Sequence, residues 1–183
     1  MTFRGFVAAD FPGSPRLSEF AKELETSGAS LKVVDVGQIH ATLKFLGETE
    51  EGLVLDIVER MRTACKGIPS FPVTLRSAGA FPSVSRMNVI WIGISGADPL
   101  ATIAARLDAS FASLGIPPER RPWAPHVTIA RVKGGRNLDR VRQILVARKD
   151  DTFADAVVDR VRLKKSVLTP SGPTYSTVED VLL

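Results

Sequence analysis

The chain contains two histidines, His40 and His126, and each opens the same short pattern: His40-Ala41-Thr42-Leu43 and His126-Val127-Thr128-Ile129. Imidazole has an ordinary pKa close to neutrality, so two of them can divide one reaction between a base that takes a proton and an acid that gives one. Both tetrapeptides sit on strand-like apolar alternation, and side chains two apart on a strand share a face. Each imidazole therefore shares its face with a threonine hydroxyl, a donor to an anion. A phosphate fits a cleft lined by two such pairs. One motif alone is most simply a polar cross-strand pair. Its duplication, with no other histidine in the chain, points instead to a single paired site.

Neighbouring residues extend the expectation. Lys44 has the parity of His40, which makes it either a phosphate contact or a solvated lysine. Phe45 has the parity of Ile39 and Leu43 and is expected in the core. Trp123, three residues before His126 and next to Pro122, is the candidate for stacking on a base, with a plain hydrophobic contact as the alternative. Strict alternation puts Arg131 on the face opposite His126, unless a bulge swings it back. Lys133, Gly134, Gly135 and Arg136 form a basic loop that either tracks an RNA backbone or is simply solvated. Two histidines with no carboxylate in either motif fall short of a usual catalytic metal site, and no Gly-x-x-x-x-Gly-Lys-Ser/Thr loop is present. Neither metal nor cofactor is expected.

The elements that must position these groups follow from periodicity and punctuation. Phe3 to Ala9 reads as a buried strand. Ser14 and Pro15 open a helix with Leu17, Phe20, Ala21 and Leu24 inward and Gly28 as its stop. A short strand at 31–34 and the His40 strand at 39–46 follow. Thr49 is expected to cap a helix reaching about Lys66, with Cys65 on its apolar side. Strands at 73–79 and 89–94 flank an expected Pro/Ser loop at 81–86. Asp98 and Pro99 then open a helix with Leu100, Ile103, Ala104, Leu107, Phe111 and Leu114 inward, ending at Gly115. A helix over 138–148 precedes strands at 156–168 and 175–182, joined by Thr169-Pro170-Ser171-Gly172-Pro173.

His40 lies 25 residues after Pro15, and His126 lies 27 after Pro99. Both halves thus read strand, proline-opened helix, His-x-Thr strand, a duplication of pattern rather than of identity. The expected architecture is α+β, with two sheets facing across a groove, helices outside and the histidines in the groove. With 183 residues, 44% hydrophobic and 24% charged, the chain is read as one domain, 1–183. A net charge of +4 permits an anionic substrate without demanding nucleic acid. No segment reads as a signal peptide or membrane span, and a cytoplasmic monomer is expected.

These residues resemble the 2H phosphoesterase superfamily, and within it the RNA 2',3'-cyclic phosphodiesterases, also called 2'-5' RNA ligases. The resemblance is carried by Arg4-Gly5-Phe6-Val7-Ala8, by His40 to Glu48, by Phe81-Pro82 with Val89 to Gly93, by Pro125 to Arg131, and by Leu163 to Tyr175. It implies a bilobal, pseudo-twofold fold with two antiparallel sheets flanking a central cleft. It further implies metal-independent hydrolysis of a terminal 2',3'-cyclic phosphate on RNA to a 2'-phosphomonoester, tRNA fragments or 2'-5' linked oligonucleotides being among the possible partners. His40 and His126 would be catalytic, and Thr42, Thr128 and Arg131 would contact the phosphate. Gly5 stands where relatives usually carry a bulkier residue, and Tyr175, in a family-like segment, either reaches the cleft or has a structural role. The rival readings are a 2'-5' ligase or 2'-5' oligonucleotide phosphodiesterase, and a non-catalytic RNA- or nucleotide-binding module. A pure binder has no need of two proton-transfer groups.

Overall fold

A computed structural model of the chain describes residues 1–169 and 172–183. In chain order the first half comprises β1 (Thr2–Asp10), α1 (Pro15–Glu25), β2 (Leu31–Val33), β3 (His40–Glu50), α2 (Val54–Cys65), β4 (Phe71–Ser83) and β5 (Arg86–Ser95). The second half comprises α3 (Asp98–Phe111), β6 (His126–Val132), α4 (Leu138–Ala147), β7 (Thr152–Val158), β8 (Arg160–Thr169) and β9 (Gly172–Leu182). The strands form two antiparallel sheets, one ordered β3-β1-β8-β9 and the other β2-β6-β5-β4-β7.

Ser14 caps α1 by accepting from the Leu17 amide at 3.1 Å, Pro15 enters at the first turn, and Leu17, Phe20, Ala21 and Leu24 are buried as the apolar stripe requires. This helix follows β1 of the four-stranded sheet, yet it packs on β2, β6 and β7 of the five-stranded one. Conversely, α3 follows β5 of the five-stranded sheet and packs on β3 and α2. Each half thus lends its helix to the other sheet. The buried side chains of both sheets form one contiguous cluster, with β3 and β6 approaching each other where the sheets meet. Among the described residues, no helix is long and apolar enough to cross a membrane.

Four expectations are corrected. Thr49 caps no helix, because β3 keeps its pairing with β1 as far as Thr2 and Glu50, and α2 begins only at Val54 after a short 3-10 turn. Thr49 is buried instead, and a Cβ added to Gly5 would lie 2.8 Å from its Oγ1. The small residue at position 5 is what makes room for this hydroxyl. The 81–86 loop is a tight hairpin, since β4 and β5 stay paired to Ser83 and Arg86. Asp98 lies inside the first turn of α3, whose N-cap is Ala97. The expected strand at 156–168 is two strands broken at Asp159, with β7 on the edge of one sheet and β8 inside the other. The sign of the break is the polar doublet Asp159-Arg160, which sets the buried Val158 and Val161 three positions apart and so shifts the phase of the alternation. Pro170 and Ser171 of the closing turn lie outside the described residues.

Candidate active site

The two motif strands carry the same irregularity at the same place. In β3, Ala8 pairs with Thr42 and Val7 with Lys44, so Leu43 is an extra residue and both Leu43 and Lys44 are buried. In β6, Trp91 pairs with Thr128 and Ile90 with Ala130, so Ile129 is extra and both Ile129 and Ala130 are buried. A bulge places two residues opposite one and resets the alternation beyond it. The residue three after each threonine therefore returns to the histidine face. It is Phe45 in one strand and Arg131 in the other, both exposed.

This reset decides the fate of several expected residues. Arg131 faces the same side as His126 and Thr128, and its charge is felt at His40 across the cleft. Phe45, expected in the core, is 60% exposed with its ring 6.5 Å from that of Phe6. Lys44 is turned away from the cleft and buried at 1% exposure. Its ammonium donates to Asp108 Oδ1 at 2.7 Å and to the Pro117 carbonyl at 2.6 Å. It is no phosphate contact in this arrangement, because the bulge at Leu43 points it into the protein. Trp123, expected as an accessible ring, is partly buried against the core, and its indole N–H donates to the Thr42 carbonyl at 2.8 Å.

The histidines are held alike. His40 Nδ1 lies 2.9 Å from the Gln38 carbonyl and His126 Nδ1 lies 2.8 Å from the Ala124 carbonyl, each two residues upstream. A carbonyl only accepts, so Nδ1 carries the hydrogen and Nε2 is left to exchange protons. The aromatic surroundings differ. His40 has Phe6 at 5.1 Å and Tyr175 edge-on at 4.9 Å, whereas His126 meets Phe81 edge-on at 5.0 Å, and Phe81 in turn leans on Trp91 at 5.4 Å.

Charge distinguishes them further. Asp10, the backbone partner of His40 on β1, accepts from Lys164 Nζ at 2.6 Å and from Arg162 at 2.7 Å, and Arg162 also donates to Asp180 at 2.8 Å. Burial lowers the proton affinity of His40. The Gln38 carbonyl and Asp10 work against that, Lys164 and Arg131 reinforce it, and the net shift is below the ordinary value. At the position matching Asp10, His126 has Gly93 as its partner on β5.

Phe6, Asp10, Phe81, Trp91, Arg162 and Lys164 are not singled out by the sequence reading. Phe6 and Asp10 share the parity of Ala8 on a strand beside the His40 strand, the periodicity signal available for them. It is hidden because β1 is apolar on both faces. Among the described residues, no three His, Cys, Asp or Glu side chains gather as a metal site.

The sequence profile of the 2'-5' RNA ligase superfamily matches residues 14–167, a span holding both motif strands and the segments between them. The chain belongs to this superfamily. Two relatives in it carry the name RNA 2',3'-cyclic phosphodiesterase. The protein of Methanothermobacter thermautotrophicus is 33% identical over 98% of both chains. That of Aeropyrum pernix is 36% identical over 91% of this chain and 94% of its own. Among solved structures, TT0787 of Thermus thermophilus superposes with a TM-score of 0.80 at 26% identity, covering 98% of this chain and 97% of that one. Escherichia coli LigT complexed with 3'-AMP shares the fold, with a TM-score of 0.74 at 21% identity over 100% and 99% of the two chains. The superfamily's bilobal fold, with two antiparallel sheets and helices outside, is the architecture found here.

Proposed function

We propose that the protein hydrolyses RNA ending in a 2',3'-cyclic phosphate to a 2'-phosphomonoester, using His40 and His126 as paired proton-transfer groups without a metal. The observation that carries this reading is the repeated strand geometry. Two imidazoles, each with Nδ1 tied to a carbonyl and Nε2 left over, stand with a threonine on the same face of two strands that approach each other. Relatives named for this activity at 33% and 36% identity support the substrate class.

In the reaction, one Nε2 accepts a proton from water as its oxygen bonds to phosphorus. The P–O3' bond breaks, and the other imidazole, protonated, gives its proton to O3'. The products are a 2'-phosphate and a free 3'-hydroxyl. Charge grows on the non-bridging oxygens as phosphorus becomes five-coordinate, and Thr42, Thr128 and Arg131 are the groups to stabilise it. Phe45, at the place matching Arg131, offers a base an exposed ring. The pair of positions thus supplies one cation and one aromatic surface, as a terminal nucleotide requires. Trp123 is left a structural part.

The test is incubation of a short RNA with a 2',3'-cyclic phosphate end, with and without chelator, and identification of the phosphate position in the product. A 2'-phosphate formed equally in both supports the reading. A 3'-phosphate, or activity lost to chelator and restored by a divalent cation, contradicts it.

A further inference from the structure

The segment from Ile116 to Pro125, which delivers His126, has no helix or strand of its own and includes Pro117, Pro118, Pro122 and Pro125. Proline lacks a backbone donor, so this stretch is poor in hydrogen bonds with which to fix itself. Backbone bonds hold its two ends, where the Ile116 amide donates to the Phe111 carbonyl at 3.3 Å and the Ile94 amide of β5 donates to the Pro125 carbonyl at 3.2 Å. Between them it is gripped by side-chain and backbone groups of the strand that carries the other histidine. Lys44 Nζ donates to the Pro117 carbonyl at 2.6 Å and to Asp108 Oδ1 at 2.7 Å, with Glu119 Oε1 at 3.6 Å. Asp108 Oδ1 also accepts the Glu119 amide at 2.9 Å. At the far end of the segment, Trp123 Nε1 donates to the Thr42 carbonyl at 2.8 Å.

We propose that Lys44 is a positioning residue for the reaction. By bonding at once to α3 and to the Pro117 carbonyl, it straps the 116–125 segment onto β3 and so sets where His126 stands relative to His40. This rests on the functional reading above and adds a residue that touches no substrate. A buried ammonium is costly unless its donors are satisfied, and here they are spent on the parts that must be held together. Two straps, from Lys44 and from Thr42, grip the segment from the strand of the opposite half. β5 fixes His126 within its own sheet through Gly93 and the bond to the Pro125 carbonyl, and the straps from β3 tie the approach to His126 to the strand of His40.

The experiment compares wild type, Lys44→Met and Lys44→Met/Asp108→Leu, using steady-state kinetics on the cyclic-phosphate RNA well below each melting temperature, and ring resonances of isotope-labelled histidine. Removing both charges relieves the mismatch that the single change leaves, so the double variant regains melting temperature while still lacking the strap. The strap predicts a kcat lower by about tenfold or more in both variants with KM changed far less, because a small misplacement of a catalytic group acts on the transition state. It also predicts broadened or multiple His126 signals, with those of His40 unchanged. A double variant that recovers kcat along with its melting temperature, or a single variant with wild-type kcat and a single sharp His126 signal, overturns the proposal. An inactive wild type overturns the functional reading instead, and the His126 signals alone then decide the strap.

Discussion

At the scale of single residues, His40 and His126 are each held by a bond from Nδ1 to a carbonyl two residues upstream and differ in the rings and charges packed around them. His40 is packed by Phe6 and Tyr175 and lies beside the Asp10, Lys164 and Arg162 cluster, and its proton affinity falls, chiefly through burial. The consequence for stability has a definite sign. With a folded-state pKa below the unfolded value of 6.5, the unfolded chain binds the proton first as pH falls. The contribution is intact above 6.5 and is lost as pH drops through the folded value. Titration of the histidine ring resonances is expected to give His40 a midpoint below 6.5, rising when inorganic phosphate occupies the cleft. A midpoint at or above 6.5 in the free protein contradicts the burial described for it. The residue types needed for this chemistry are legible in the chain, because only two histidines exist and their settings match. The charges around His40 are not legible: Asp10, Arg162 and Lys164 are brought together by β1 pairing with β8, more than a hundred and fifty positions apart in sequence.

At the scale of elements, a single extra residue in each motif strand sorts the side chains. Strict alternation assigns Lys44 to the cleft and Phe45 to the core, and the bulge at Leu43 exchanges them. The equivalent bulge at Ile129 brings Arg131 round to the histidine side. A bulge leaves little trace in a hydrophobic pattern, since Leu43 and Ile129 are as apolar as any core residue. Side chains up to Leu43 and Ile129 can therefore be placed from sequence, and the residues just beyond them cannot. The helices are easier, because caps, prolines and a 3.6-residue stripe act within one segment. The His126 sheet also depends on a close approach: a Cβ on Gly79 would lie 2.3 Å from the Trp91 ring, which supports Phe81 beside His126. Gly79→Ala is expected to displace that ring, lowering stability by about 1–3 kcal/mol as an overpacked site does. It should also reduce turnover through Phe81 and His126. Denaturant unfolding and steady-state rates check both, and an unchanged midpoint would show that the indole can shift freely.

At the scale of the molecule, the duplicated order of strand, helix and motif strand becomes two sheets that exchange helices, with α1 covering the sheet β1 does not belong to and α3 doing the same for β5. The duplication is visible in the spacing of Pro15 to His40 and Pro99 to His126. The exchange is not, because which sheet a helix covers depends on contacts that no local pattern encodes. Its mechanical effect is that neither half can be displaced without disturbing the packing of the other, and the two histidines are held as a pair. Two groups that share one proton-transfer cycle lose their joint contribution when either is removed. The most direct test is the turnover of cyclic-phosphate RNA by His40→Ala, His126→Ala and the double variant, each shown to be folded. Either single change is expected to lower kcat by about 10²–10⁴-fold, with the double variant little worse than the singles. Losses that multiply in the double variant, or a single variant that keeps wild-type turnover, would contradict a paired site.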